Sequence, residues 1–173
     1  IFLSCLPLCC ISPSSSIVRK DVFEDIGYFD ENLPACEDYD FWLRLCAHEE
    51  VFFLDEELLI KHGGHSDQLS QKYWAMDRFR VYSLEKLIGN EDLSSKNQEA
   101  ALEMLLNKLR VLVEGGLKRE NTSLVQFYSK KMKFWTKFLN DPKKKVVVDK
   151  LQLEENSNYY FEQKCSVVDS AGS

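Results

Sequence analysis

The chain has 173 residues, of which 45% are hydrophobic and 29% are charged, which is the composition of one soluble domain with a buried core. Its formal net charge of -6 argues against a nucleic-acid-binding protein, because such proteins need a basic face to displace counterions from phosphates. The six cysteines include no C-x-x-C pair. They predict buried, reduced thiols rather than a disulfide framework or a zinc site.

The first predicted element is the apolar stretch from Ile1 to Ile11, which we interpret as a buried strand at the start of a truncated gene product. It is too short for a membrane span, which needs about 20 apolar residues, and it lacks the basic leader of a signal peptide. A loop of small polar residues then leads into a short strand that ends at Arg19 and Lys20.

A short helix follows, with Asp21 as its predicted cap and Gly27 just past its end. A loop containing Pro34 separates it from a second helix, which is predicted to begin at or just after the acidic cluster Glu37–Asp40, because apolar residues recur from there at helical spacing. The stretch from Val51 to Ile60 predicts a strand pair, or a strand and a turn, from its aromatic and β-branched residues.

The remainder of the chain has a helical pattern with apolar residues every three or four positions. Predicted helices run from about Leu69 to the Gly89–Asn90 break, from Ser94 to Val113, and from Leu124 to Leu139. In the last of these, Trp135 and Phe138 are predicted core residues. The tail from residue 142 onwards is predicted to be partly disordered.

The acidic residues of GYFDENLPACEDYDFWLRL form the most informative pattern in the chain. Glu37, Asp38 and Asp40 fall in or before the first turn of a predicted helix, where unpaired amides and the helix dipole stabilise negative charge. The local pattern alone favours a structural interpretation, in which these residues cap the helix and Asp40 pairs with Arg44 four residues on.

The longer run from Ser12 to Leu45 resembles the acceptor-side half of family 2 glycosyltransferases of the GT-A type. The resemblance rests on the order of small polar residues, R-K, an apolar helix, G-x-F-D-E and E-D-x-D-x-W-L-R. The stretch IKHGGHSDQLS also fits, since many members have a histidine in the loop after this helix. The resemblance covers about residues 8 to 88, and it favours a catalytic interpretation of the acidic motif over a structural one.

The resemblance implies an inverting transfer of a sugar from a nucleotide-sugar donor to a hydroxyl of a saccharide or lipid-linked acceptor. Asp38 matches the family's general base. Glu37 and Asp40 would orient acceptor hydroxyls, and Trp42 would line the acceptor site or, alternatively, belong to the core.

The family also uses Mg²⁺ or Mn²⁺, held mainly by an aspartate-x-aspartate motif on an earlier strand. That motif is not in this sequence. The fragment is therefore expected to lack activity on its own. His65 is predicted to make a late contact with the metal or the diphosphate, with His62 and a plain loop histidine as the alternatives.

The expected fold class is α/β, the second half of a GT-A domain followed by a helical extension. We divide the chain into the acceptor-side half at residues 1–88, the extension at 89–141 and a tail at 142–173. The expected location is the cytoplasm, with peripheral association at the inner face of the membrane as an alternative. The rival functions are a non-catalytic helical interaction module and, less favoured, a metal-dependent hydrolase.

Overall fold

A computed structural model describes residues 1–60, 62, 73–90 and 92–139 of the chain. These residues form helices, turns and extended segments, and they include no β-strand. In chain order the elements are α1 (Phe2–Cys5), a 3₁₀ turn (Pro13–Ser15), α2 (Lys20–Ile26), α3 (Glu37–His48), α4 (Asp77–Asn90), α5 (Ser95–Lys118) and α6 (Thr122–Leu139). The predicted α/β fold, with the second half of a GT-A domain, is therefore wrong for this part of the chain.

The beginning of the chain is helical rather than the predicted strand. The amides of Ser4 and Cys5 both donate to the carbonyl of Ile1, which closes a helical turn. Phe2, Cys5 and Leu6 are buried on one side of this turn. Three-to-four-residue spacing of the buried side chains is typical of a helix, whereas a strand would bury every second residue.

The stretch from Val51 to Ile60 has no regular secondary structure and forms no strand ladder with any described residue. Leu58 N donates to Glu56 O at 3.0 Å, and that is the one backbone hydrogen bond found for the stretch in the described ranges. Phe52 and Phe53 are 92% and 86% exposed. A strand requires a neighbouring strand to pair with, and the composition of a segment does not reveal whether a neighbour exists.

The predicted helices flanking the Pro34 loop are confirmed. α2 ends at Gly27, whose φ of 85° is accessible to glycine at little cost and whose amide donates to Phe23 O. α2 begins at Lys20, and Asp21 is already inside its first turn, so the predicted cap is displaced by two positions. α3 begins at Glu37, the first residue of the acidic cluster, as predicted.

The three long helices α4, α5 and α6 pack in sequence, each against the next. The turn between α5 and α6 is close-packed at Gly116, where an added methyl group would lie 2.7 Å from Leu124 Cδ2. Asn121 Oδ1 accepts a hydrogen bond from the amide of Leu124, which satisfies one donor at the start of α6.

One continuous core joins the helices, and its largest fully buried side chains include Trp135, Tyr39, Tyr128 and Phe41. The prediction of Trp135 as a core residue is confirmed, and Phe138 packs against the same core.

The core contains residues from both sides of the proposed 88/89 boundary, so that division stays a prediction. The predicted tail at 142–173 lies outside the described residues. No helix among those described is long and apolar enough to cross a membrane.

Candidate functional site at the amino terminus of α3

The acidic motif occupies the first turn of α3. Cys36 precedes the helix in a left-handed conformation, with φ of 64°, and its side chain makes no capping hydrogen bond. Asp38 Oδ1 instead accepts from the amide of Tyr39 at 2.7 Å. The side chains of Glu37 and Asp38 are both half-buried. The amino-terminal end of α3 thus presents two partly exposed carboxylates in a region of positive backbone potential.

Asp38 lies beside the thiol of Cys9, which belongs to the segment between α1 and the 3₁₀ turn. Burial and the negative charge of Asp38 raise the pKa of Cys9 to about 12. The same thiol donates to the carbonyl of Ile11 at 3.1 Å. No ion pair among the described residues includes Asp38, so its carboxylate has not been neutralised by a fixed cation there.

Asp40 points into the protein and is only 1% exposed. Arg44 Nε donates to its Oδ2 at 3.0 Å, so the pairing that the structural interpretation predicted is confirmed. Lys86 Nζ lies 2.7 Å from the other oxygen, although outside hydrogen-bonding angles. Asp40 therefore has two fixed cations, and its predicted contact with acceptor hydroxyls stays a prediction.

Trp42 is likewise a buried residue. It is 3% exposed, and its ring meets that of Phe41 edge-on with centroids 5.0 Å apart. The alternative interpretation of Trp42 as a core residue agrees with this position, and its place in the acceptor site is untested.

Arg44 connects α3 to the preceding loop. In addition to Asp40, its guanidinium donates to the carbonyl of Ile26 and, at 2.8 Å, to the carbonyl of Tyr28. These carbonyls flank Gly27, where α2 ends. The arginine of the W-L-R motif thus fixes the path of the chain between α2 and α3, a role that its position in the sequence did not indicate.

Lys86 on α4 ties together the two acidic parts of the motif. Its ammonium lies 2.7 Å from Asp30 Oδ2 as well as 2.7 Å from Asp40 Oδ1. Burial alone would raise the pKa of Asp30, but the hydrogen bond and charge of Lys86 hold it below its usual value. Sequence reasoning missed Lys86, because nothing local marks a lysine that pairs with residues more than forty positions away.

A second, partly buried ion network lies on the α1 side of the motif. Asp77 Oδ1 accepts from Arg80 at 2.8 Å and from Lys108 at 3.0 Å, and Lys108 also donates to the carbonyl of Pro7 at 2.9 Å. Burial opposes ionisation of Asp77, but its two cations lower its pKa. The i, i+3 spacing of Asp77 and Arg80 is visible in the sequence, whereas Lys108 comes from a different helix.

Tyr39 connects this network to the acidic end of α3. Its hydroxyl donates to the carbonyl of Leu6 at 2.6 Å, and Arg80 lies over its ring at 5.9 Å. Lys108 holds the carbonyl of the next residue, Pro7. The backbone at positions 6 and 7 is therefore fixed from two sides, which positions the following segment with Cys9 against Asp38.

The residues predicted to contact a metal ion are not joined by further ligands in the described part of the protein. No group of three or more histidine, cysteine, aspartate or glutamate residues among those described could hold a metal ion. His62 is exposed, and His65 lies outside the described residues. The predicted contact of His65 with Mg²⁺, Mn²⁺ or the diphosphate therefore stays a prediction.

Comparison with known proteins identifies relatives for part of the chain. It is 39% identical over 72 residues to a protein from Rickettsia felis named uncharacterized glycosyltransferase, and 38% and 36% identical over 72 residues to proteins of that description from Rickettsia conorii and Rickettsia bellii. The match covers 40% of this chain but only 12%, 12% and 10% of those proteins. No family model matches the chain, and no solved structure does.

Proposed function

We propose that this chain carries the acceptor side of an inverting family 2 glycosyltransferase, with Asp38 as the general base. The observation that carries the proposal is that two aspartates of the acidic motif differ in burial and in ion pairing. Asp40 is buried between two cations, whereas Asp38 is half-buried, lies at the helix end and has no cation partner among the described residues. The similarity to three proteins named glycosyltransferases supports the coarser part of the proposal, which is glycosyl transfer in general.

In the proposed reaction, an acceptor hydroxyl lies against the Asp38 carboxylate and loses its proton to it. The hydroxyl oxygen forms a bond to the anomeric carbon as the bond from that carbon to the nucleoside diphosphate breaks on the opposite face. The configuration at the carbon is therefore inverted, and the diphosphate carries away the electron pair. A general base in this position is typically worth about 10²- to 10⁴-fold in rate.

Glu37 is proposed to bind acceptor hydroxyls, since its half-buried carboxylate lies beside Asp38 on the same helical turn. The donor nucleotide and the Mg²⁺ or Mn²⁺ that would neutralise its diphosphate are proposed to be held mainly by polypeptide other than the described residues. His65 remains the proposed late contact to the metal or the diphosphate.

Two titrations of the isolated chain test the division between donor and acceptor binding. Calorimetry with UDP-, GDP- and dTDP-sugars in the presence of Mn²⁺ should show no micromolar binding. Nitrogen-15 NMR with a panel of mono- and oligosaccharides should shift the amides of Glu37 and Asp38 and leave that of Arg110, an exposed residue of α5, unchanged. Micromolar binding of a nucleotide sugar would show that the donor site has been misplaced.

A helical interaction module is the second candidate, because the described residues form helices without any strand and α5 and α6 are the longest of them. This candidate requires no saccharide binding at α3. Saccharide titrations that leave Glu37 and Asp38 unshifted would favour it over the transferase proposal.

A further inference from the structure

The last described helix, α6, has a charge pattern unlike that of the rest of the chain. Its 18 residues include four lysines and no acidic residue, whereas the whole chain has 28 acidic residues in 173. The neighbouring helix α5 instead mixes three glutamates with its basic residues. A solvated helix face usually carries both signs, because oppositely charged residues four positions apart stabilise it.

One of the four lysines has an internal role. Lys131 donates to both carboxylate oxygens of Glu85 on α4, at 2.7 and 2.9 Å, and Trp135 Nε1 donates to the same carboxylate at 2.7 Å. Glu85 is 2% exposed, so these bonds compensate a buried charge. The contact also fixes the rotation of α6 about its own axis.

That rotation turns the other three lysines outward. Lys130, Lys133 and Lys137 are all exposed, and their spacing of three and four residues places them on one face of the helix, within about 10 Å along its axis. No ion pair found in the described part of the chain includes them. We call these three residues the lysine face of α6.

An aromatic residue borders the lysine face. Phe134 is 36% exposed while its ring contacts those of Trp135 and Phe138, with centroids 5.2 and 5.0 Å away. The ring is therefore held in place by the core and still reaches the surface beside the lysines.

We propose that the lysine face of α6 docks on the surface of an anionic lipid bilayer. The lysines would contact the phosphate and carboxylate groups of the lipids, and Phe134 would reach the headgroup region. Charge complementarity argues for this occupant, since the lysine face carries three positive charges without ion-pair partners among the described residues, although the chain has a net charge of -6. The inference is independent of the proposed chemistry at Asp38.

A lipid surface fits this face better than a nucleic acid does. A single helix presents a convex row of charges, which meets a flat surface, whereas single strands are bound in basic grooves with stacking aromatic residues. The chain is also acidic overall, and a nucleic acid that followed the protein surface beyond α6 would meet acidic residues.

Vesicle flotation tests the proposal on the full 173-residue chain. The probes are vesicles of phosphatidylcholine alone and vesicles in which about 30% of the lipid is phosphatidylserine. The test variant is K130Q/K133Q/K137Q. The matched control is K20Q/K96Q/K118Q, which changes the net charge equally at three other exposed lysines. Far-UV circular dichroism establishes that both variants keep the helical content of the parent.

The parent and the control variant should float with the phosphatidylserine vesicles and not with the neutral ones. The test variant should bind about 100-fold more weakly, from about fivefold per lysine. Equal loss in both variants would overturn the proposal, because net charge alone would then explain binding. No binding by the parent would also overturn it, as would displacement of the vesicles by a single-stranded RNA of 30 nucleotides.

Discussion

Replacing Arg44 with methionine is the most informative perturbation of the acidic motif. The substitution keeps an unbranched side chain of similar length but removes the guanidinium. It takes one cation from the buried Asp40 and the donors from the carbonyls of Ile26 and Tyr28. The chain between α2 and α3 therefore loses its hydrogen bonds to Arg44, while the ring contact between Phe29 and Phe41 remains.

The expected cost follows from burial. The side chains of Arg44 and Asp40 are 9% and 1% exposed, and breaking a pair of this kind typically costs about 3 to 5 kcal/mol. Lys86 stays 2.7 Å from Asp40 and still compensates part of its charge, so we take the lower value, about 3 kcal/mol. For a chain of this size, that corresponds to a decrease in melting temperature of about 6 to 12 °C.

Thermal unfolding followed by circular dichroism measures this decrease. The matched control is Arg19→Met, because Arg19 and its partner Asp21 are 75% and 61% exposed and such surface pairs contribute about 1 kcal/mol or less. Arg44→Lys should be intermediate, since an ammonium can pair with Asp40 but cannot reach both carbonyls. A melting temperature of Arg44→Met within 2 °C of the parent would refute the structural role of this side chain.

Two further predictions concern ionisation. In Asp38→Asn, the pKa of Cys9 should fall from about 12, because the negative charge beside the thiol is lost. Iodoacetamide should therefore alkylate Cys9 faster at pH 8.5 than in the parent or in the Asp25→Asn control. An unchanged rate would contradict the Asp38–Cys9 contact. The lowered pKa values of Asp30 and Asp77 should stabilise the fold above the unfolded-state pKa of about 4, and this stability should be lost as pH falls through the folded-state values. Urea unfolding from pH 6 to pH 2.5 measures the free energy of unfolding as a function of pH. The double variant Asp30→Asn/Asp77→Asn should show a weaker dependence on pH. An equally steep dependence in the double variant would assign the acid sensitivity to other groups.

The helices of the chain were largely predictable, because each has apolar residues every three or four positions and residues typical of helix ends. The start of α3 followed from the spacing of Phe41, Trp42 and Leu45, and the end of α2 from Gly27. The same local signals explain why Asp40–Arg44, at four residues apart, was foreseen.

The predicted strands failed for the opposite reason. A strand is defined by a partner elsewhere, and the apolar composition of Val51–Ile60 does not say whether that partner is present. In the described part of the chain these residues are exposed, and they form no strand with a partner. The predicted α/β fold class depended on such strands, and it was wrong because the described residues form none.

The site itself was predictable only in part. The sequence located the acidic turn and the Asp40–Arg44 pair, but it did not show that Asp40 is buried between two cations while Asp38 is half-buried. Their difference is set by Lys86 and by the rotation of α3 against α4, which are properties of tertiary packing. Lys108 was missed for the same reason.

The central claim is that Asp38 accepts the proton of the acceptor, and turnover in a chimera tests it most directly. The 72-residue segment of this chain that matches the Rickettsia felis relative would replace the corresponding segment of that protein. Release of nucleoside diphosphate would then be measured with a panel of nucleotide sugars and saccharide acceptors. Relative to the unsubstituted chimera, Asp38→Asn should lower kcat by about 10²- to 10⁴-fold with little change in the KM for the donor. Glu37→Gln should mainly raise the KM for the acceptor, and Asp25→Asn, an exposed carboxylate on α2, should change neither. Near-parental turnover in a folded Asp38→Asn chimera would mean that this carboxylate only caps α3.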